Sequence, residues 1–430
     1  MLFPAIRASL SLTYGAGGVI YAVRTIIQTM SGPFWGFAAD RYNRKWILVL
    51  GTGIWGTLMA LAALATDYWE LLFVRVIACI GLGALYPASF SMLADVFGPH
   101  RRGRAMGALG MIGMLGVVAA AVGFGQLLEV SNRGWQWGII DLNPDTGWRW
   151  AFVILGAASV LAGILIALLV RHPVRGAAEP ELEGVMTEAD AARFRFRMLD
   201  VKEVLRSRTM WVNLVQGCFL MTTLNSLSIY FVTWLVDDRG FAEGQAPIIF
   251  GGMVLALAIG SLVGGIACDV ADERWPHHGR AALSQVSIAL SFPAMWYMIT
   301  AAEELRAILA CGVFAGFFLE WTRRGVKQPL VQAVIRPEFR ATAMAITEFF
   351  QGAVASVAVI GLGKFADMFE SHGLTYALMV ACGSWLFAGA AATAYYYVYP
   401  GESERFRRQM RERRELITGR TNDNARNDDG

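Results

Sequence analysis

Four ionisable residues stand inside an apolar stretch, Phe317-Phe-Leu-Glu320-Trp-Thr-Arg323-Arg324-Gly-Val-Lys327-Gln328-Pro329. Glu320, Arg323, Arg324 and Lys327 fall at i, i+3, i+4 and i+7, the spacing of one helical face. Charge in such a segment is costly unless it faces water or finds partners, so this face is read as turned away from lipid. Glu320 can neutralise one neighbour, which leaves positive charge in excess. Arg24 and Gln28 share a face by the same spacing, and Arg75 lies roughly 10 Å deep in its helix; these extend a cationic lining. Gln216, Asn225, Ser226 and Tyr230 offer neutral hydrogen bonds to a polar solute. A carboxylate among arginines can have its pKa moved in either direction, which makes Glu320 and Glu348 the candidates for proton coupling. The competing reading of the whole set is an ion-pair network with a structural role.

The elements that must position these residues are membrane helices. The 430 residues are 56% apolar and 17% charged, with a mean hydropathy of +0.46, far from soluble usage of roughly 45–50% apolar and 25% charged. The apolar residues come in blocks of about twenty, enough to cross roughly 30 Å of hydrocarbon as a helix. A closed barrel would need alternating segments of about ten residues, which are absent. Spans are expected near 13–39, 46–66, 69–96, 106–129, 149–171, 209–235, 244–268, 280–300, 305–335, 341–366 and 374–398, about eleven helices in an all-α polytopic membrane protein. Basic loops at Arg41, Arg44 and Lys45, at Arg101, Arg102 and Arg104, at Arg274 and Arg280, and at Arg336 and Arg340 alternate with loops poor in Lys and Arg. Those basic loops are expected in the cytoplasm.

Residues 1–171 and 209–398 form two transmembrane halves, joined by a polar cytoplasmic linker over 172–208. A basic tail over 399–430 is expected to begin as a short surface helix and end in disorder. The halves look related, since Gly36-x-x-x-Asp40 is echoed by Gly265-x-x-x-Asp269, and repeats of this kind mark secondary transporters. The net charge of +3 belongs to topology signals rather than to a nucleic-acid stripe. The five cysteines lie in apolar segments without CxxC spacing, and His277-His278 reads as a solvated pair, so no metal or other cofactor is expected. Gly51-Thr-Gly53-Ile-Trp-Gly56 fits a nucleotide fingerprint but lacks the strand before it and the acidic residue after it. It is read as helix packing, as are Gly107, Gly110, Gly113 and Gly116, and Gly260-x-x-x-Gly264. No phosphate loop or catalytic constellation is present, so the chain is not expected to be an enzyme.

The stretch Gly36-Phe-Ala-Ala-Asp40-Arg41-Tyr-Asn43-Arg44-Lys45 resembles the signature loop of the major facilitator superfamily, with Asn43 where the pattern prefers glycine. The carboxylate suits a cation or a helix N-terminus, and the basic cluster holds the loop inside. Arg75, the Gly147-Trp-Arg-Trp150 run and the two-half plan agree. The stretch His172-Pro-Val-Arg-Gly-Ala-Ala-Glu179 is similar to the linker start of spinster-like lipid transporters. The resemblance implies two pseudo-symmetric helical halves, twelve helices in the family, and alternating access. It implies a further helix ahead of the first span, where only about a dozen residues lie, so an upstream start is expected, with Met1 extracellular and the C-terminus cytoplasmic. It places the Glu320–Lys327 helix beside the central cavity, and an anionic substrate is then the natural inference. The expected function is secondary transport of a small organic anion or anionic amphiphile, with Arg324 and Lys327 holding its charge. Gly36, Asp40, Arg41, Arg44, Lys45, Gly265 and Asp269 would form the gating motif. A monomer in the plasma (inner) membrane, in contact with lipid and coupled to protons, is expected. The rivals are a non-transporting sensor with the same fold and an efflux pump for drugs or lipids.

Overall fold

The computed structural model describes residues 6–7, 9–12, 14–137, 140–143, 145–187, 190, 194, 201–242 and 245–428. The expected extracellular Met1 lies outside these residues. Helices dominate, as they must where backbone groups have only one another to bond. They are α1 (Tyr14–Arg41), α2 (Arg44–Leu61), α3 (Tyr68–Leu82), α4 (Leu85–Val96), α5 (Arg102–Arg133), α6 (Gly147–Leu169), α7 (Val201–Arg206), α8 (Arg208–Asp237), α9 (Ala246–Arg274), α10 (Gly279–Thr300), α11 (Leu305–Glu320), α12 (Gln328–Gln332), α13 (Arg340–Ala366), α14 (Gly373–Thr393) and α15 (Tyr395–Asp428). Among the described residues, ten helical segments are long and apolar enough to cross a membrane, and the 28-residue α1 is a further long helix. A short antiparallel hairpin, Trp135–Trp137 against Ile140–Leu142, departs from the all-helical expectation. The tail is helical over Tyr395–Asp428, longer than the sequence suggests.

Compact packing does not follow the linear halves. One unit comprises Met1–Ser89 with Gly116–His172, and the other Phe90–Leu115 with Pro173–Gly430. The ends of α4 and α5 nearest their connection therefore belong with the second unit.

In the first unit, glycine permits close approach of helices, as lipid-embedded packing requires. A Cβ on Gly56 would stand 2.7 Å from the Gly156 carbonyl, and one on Gly51 would stand 2.8 Å from the Gly81 carbonyl. Gly53 meets nothing within 4 Å, so two of the three fingerprint glycines are packing positions. Asp67 caps α3, accepting from the Glu70 amide at 2.8 Å, while Glu70 accepts from the Thr66 amide at 2.9 Å, a reciprocal arrangement that satisfies orphan donors. Arg149 donates to the carbonyls of Ala63 and Ala65 at 2.6 and 2.8 Å. It stabilises the end of α2, where carbonyls lack helical partners. Trp148 and Phe152 meet edge to face at 5.6 Å in the core beside Met59, Ala62 and Leu71.

In the second unit the core runs through Leu220, Phe231, Trp234, Met295, Met298, Leu319 and Trp385. Both buried indoles are satisfied, Trp234 by Thr375 at 2.9 Å and Trp385 by Ser291 at 2.8 Å, as a polar handle in an apolar core demands. Gly260 and Gly264 let α9 lie directly on Phe317 and Trp321. Gly107 and Gly110 pack against Ser261, but Gly113 and Gly116 meet nothing within 4 Å; only the first half of that glycine series is helix contact.

The Gly156 contact yields a test. Gly156→Leu should destabilise the protein by about 1–3 kcal/mol or more, because an overpacked site cannot relax against backbone. Gly53→Leu should be near neutral, and thermal unfolding of the two purified variants would separate them.

Candidate functional site

Pro329 has no amide hydrogen, so it cannot bond the carbonyl of Gly325 four residues earlier. The helix answers with a π-turn over Trp321–Lys327, a form that is rare and frequent at functional sites. The freed Gly325 carbonyl accepts from Arg280 at 2.8 Å. Gly325 fits because its Cα faces the Gly264 carbonyl, 2.9 Å from where a Cβ would stand.

The π-turn divides the charged stripe. Glu320, 2% exposed, accepts from Arg323 Nε at 2.9 Å and Nη2 at 2.7 Å and pairs with Arg324 Nε at 3.6 Å. The Arg324 guanidinium also lies 5.1 Å from the centre of the Phe90 ring, a favourable cation–π distance. Lys327 stays within the field of Arg323 and Arg324 but makes its hydrogen bonds elsewhere. The single face expected for all four residues is thus corrected: widening the turn rotates Lys327 toward α8 and α13. There its ammonium donates to Gln351 Oε1 at 2.9 Å, its carbonyl accepts from Asn213 Nδ2 at 2.8 Å, and Gln351 donates to the Asn213 carbonyl at 3.0 Å. Gly217 leaves the space, since a Cβ there would strike both Gln351 and Lys327. Glu348, half-buried on α13, lies within the field of Lys327.

The remaining expected residues divide by what they touch. Gln216 is buried, donating to Ser284 at 3.0 Å and accepting from Tyr395 at 3.1 Å. Tyr230 donates to the Val359 carbonyl at 2.9 Å and Ser226 to the Thr222 carbonyl at 2.7 Å. Gln216 and Tyr230 thus join neighbouring helices, Ser226 bonds back within its own, and Asn225 is half-buried on the same helix. In the first unit, Arg24 and Arg75 are close enough to repel one another beside Cys79, and Arg75 lies 5.2 Å from the Phe152 ring centre. Gln28 is half-buried one turn along from Arg24.

The signature loop is built as a capped turn. Asp40 and Arg44 are fully buried and 3.7 Å apart. Asn43 accepts from the Lys45 amide at 3.0 Å, so it serves as the N-cap of α2. Gly36 is buried, Arg41 exposed and Lys45 half-buried. In the second unit, buried Asp269 accepts from the amides of Gly103 and Arg104 at 2.9 and 2.8 Å and from Arg280 at 2.9 Å. A carboxylate thus closes the positive end of α5. Gly265 brings the backbones together, with its Cα against the Gly103 carbonyl.

A second cluster was not legible in the sequence. Glu179 is 2% exposed and bridges the buried guanidiniums of Arg102 and Arg340. Arg340 also pairs with buried Asp95 at 3.3 Å, and Asp95 accepts from the Gly176 amide at 3.0 Å. Burial alone would raise the Glu179 carboxyl, but the two arginines outweigh it and hold it below its ordinary range. The linker is thus packed where it is described before residue 188, in successive tight turns, not simply a solvated connection. Most of 188–200 lies outside the described residues.

Known proteins bear on this geometry in three ways. The family model "Major Facilitator Superfamily" matches residues 1–359. Spinster homolog 1 of Xenopus laevis is 20% identical over 88% of this chain and 73% of its own length. The probable sulfoacetate transporter SauU of Cupriavidus necator is 23% identical over 91% and 87%. Among solved folds, the major facilitator superfamily transporter FucP in its outward conformation matches with a TM-score of 0.70 at 15% identity, covering 92% of this chain and 93% of that one. The architecture is that of an integral, multi-pass membrane protein, and its kin are secondary transporters of small solutes rather than enzymes. With the signature loop, its echo at Asp269 and the family match over residues 1–359, this chain belongs to the major facilitator superfamily.

Proposed function

We propose that the solute is a small organic anion or an anionic amphiphile, held by the π-turn of the second unit and moved by alternating access. The observation that carries this reading is the gathering of cations at the turn, where Arg323, Arg324 and Lys327 stand with the buried carboxylate of Glu320 and half-buried Glu348. Cations grouped in a low-dielectric interior attract an anion. The name of the SauU relative, a probable sulfoacetate transporter, is that of a carrier of an organic anion. Arg324 takes the substrate charge, Glu320 tunes both arginines, and Lys327 contributes from the neighbouring helices. Arg24, Gln28 and Arg75 give the first unit a cationic patch of its own.

Glu320 and Glu348 are the proposed proton-coupling groups, because each can exchange its charge against a nearby cation. The Asp40 and Asp269 loops, with Gly36, Arg41, Arg44, Lys45 and Gly265, serve as the gate. We place their basic end and the C-terminus in the cytoplasm, in the inner membrane, with a monomer as the working unit; the alternating basic loops support that orientation.

Two tests follow. Arg324→Ala should abolish uptake into proteoliposomes at unchanged expression. Thermal stability of the wild-type protein should rise selectively with an organic anion, by roughly 2.7 kcal/mol at 100 times its Kd, and this gain should vanish in Arg324→Ala. Stabilisation by cations or neutral sugars alone would make the turn a structural gate. Separately, Gln351→Leu should destabilise the protein by about 1–3 kcal/mol, since it strips a buried ammonium of its acceptor. A thermal midpoint equal to wild type would show that Lys327 finds another partner.

A further inference from the structure

The tail helix α15 is not a free appendage. Glu402 accepts from Ser207 Oγ at 2.8 Å and from the Arg208 and Thr209 amides at 2.7 and 3.1 Å, closing the first turn of α8. Ser403 meets His277 Nδ1 at 3.0 Å. Farther along, Arg413 donates to Glu338 Oε1 at 2.6 Å in the turn that opens α13, and Arg414 donates to the Glu181 carbonyl at 3.1 Å. Anchors on α8, on the α9–α10 loop and on the α13 turn lay the helix across the basic end of the second unit.

Between those anchors, Phe406 and Met410 close on Leu182, with Met186 beside them. This is an apolar clasp between the tail and the linker. Leu182 donates its amide to the Glu179 carbonyl at 2.9 Å, and Glu179 donates to the Gly176 carbonyl at 3.0 Å. The clasped leucine and the bridging carboxylate are therefore rigidly joined by one tight turn. Gly176 holds the other end, with φ +75° and a Cα so close to Pro337 that a Cβ would stand 3.0 Å from its Cγ. A chain this constrained cannot let Glu179 move while Leu182 stays seated.

We propose that the Phe406–Met410–Leu182 clasp is the positioning element for Glu179, so that release of the tail withdraws the carboxylate from Arg102 and Arg340 and loosens the basic end. The two buried guanidiniums then lose the carboxylate they share, an arrangement that favours separation. The proposal does not depend on which solute is carried. Tail and gate become one device: Met410 and Leu182 act on the arginines only through the carboxylate they set, while the Phe406 ring also lies 6.0 Å from the Arg340 guanidinium.

The test uses the full-length protein in detergent and its native Cys268, buried beside Asp269 at the same end of the unit. N-ethylmaleimide labelling of Cys268, followed by peptide mass spectrometry, reads how often that end opens. Phe406→Ser and Glu179→Gln should each speed labelling about tenfold, and the double variant should be no faster than Glu179→Gln alone, because both act through one group. Phe406→Leu, which keeps the apolar clasp but removes the ring beside Arg340, should keep wild-type rates. Leu182→Ala, on the linker side, should repeat the Phe406→Ser result, and amide exchange in α11 should stay protected in every variant compared. Factors that multiply in the double variant, or a Phe406→Ser protein that labels at the wild-type rate, would overturn the proposal.

Discussion

The second unit is organised around a hydrogen that is not there. Pro329 leaves the Gly325 carbonyl without a helical donor, and a buried carbonyl must be answered. Arg280 answers it, and the same guanidinium pairs with Asp269 and with Asp272 at 3.2 Å and reaches the Pro99 carbonyl at 3.1 Å. Asp269 in turn holds the first amides of α5. One missing donor therefore ties the charged turn to the opening of α5 through a single side chain. Any movement of the π-turn is felt at Arg280, and any loosening of α5 from Asp269 alters what Arg280 can offer to Gly325. This gives a physical route between the candidate binding segment and the gate without invoking anything beyond contacts.

Magnitudes explain why such a system can switch. A buried ion pair gains little over an apolar replacement, yet removing one partner costs about 3–5 kcal/mol. The Asp269 and Glu179 clusters are thus nearly neutral in net stability but stiff against partial disruption. They favour two intact arrangements over a continuum. Glycine contacts at Gly265 and Gly103 add to this, since backbones in direct contact either fit or separate.

The spans and the family were legible because blocks of about twenty apolar residues admit one structure in lipid, and because the Gly36–Lys45 loop is a local pattern. The stripe Glu320–Lys327 was legible as charge but not as geometry. Counting by i+3 and i+4 assumes an unbroken α-helix, and although Pro329 stood in plain view, its effect depends on Arg280, which meets the carbonyl of Gly325 from 45 residues earlier. The Glu179 cluster joins residues 77 and 161 positions apart, and nothing in a one-dimensional pattern pairs them. Arg102 and Arg340 each stand where a membrane helix begins, so topology alone accounts for a basic residue there and hides its second role. Gln216 and Tyr230 show another ambiguity of the sequence, because a polar side chain in a membrane helix satisfies a neighbouring helix as readily as a solute.

Buried charge is grouped in two ways. At the basic end, Arg102 and Arg340 meet Glu179 and Asp95, and Arg413 meets Glu338, so carboxylates stand between the cations and must part from them if that end is to loosen. Asp40 meets Arg44 in the same way. At the π-turn two arginines gather on the buried carboxylate of Glu320. Exchanging buried ionic groups for apolar ones is often neutral or favourable, so stability alone does not call for such a grouping. An anion that joins the arginines during the transport cycle would give it a use. The same reasoning assigns Lys327 an intermediate place: Gln351 satisfies its geometry without cancelling its charge, which leaves it anchored and still attractive to an anion.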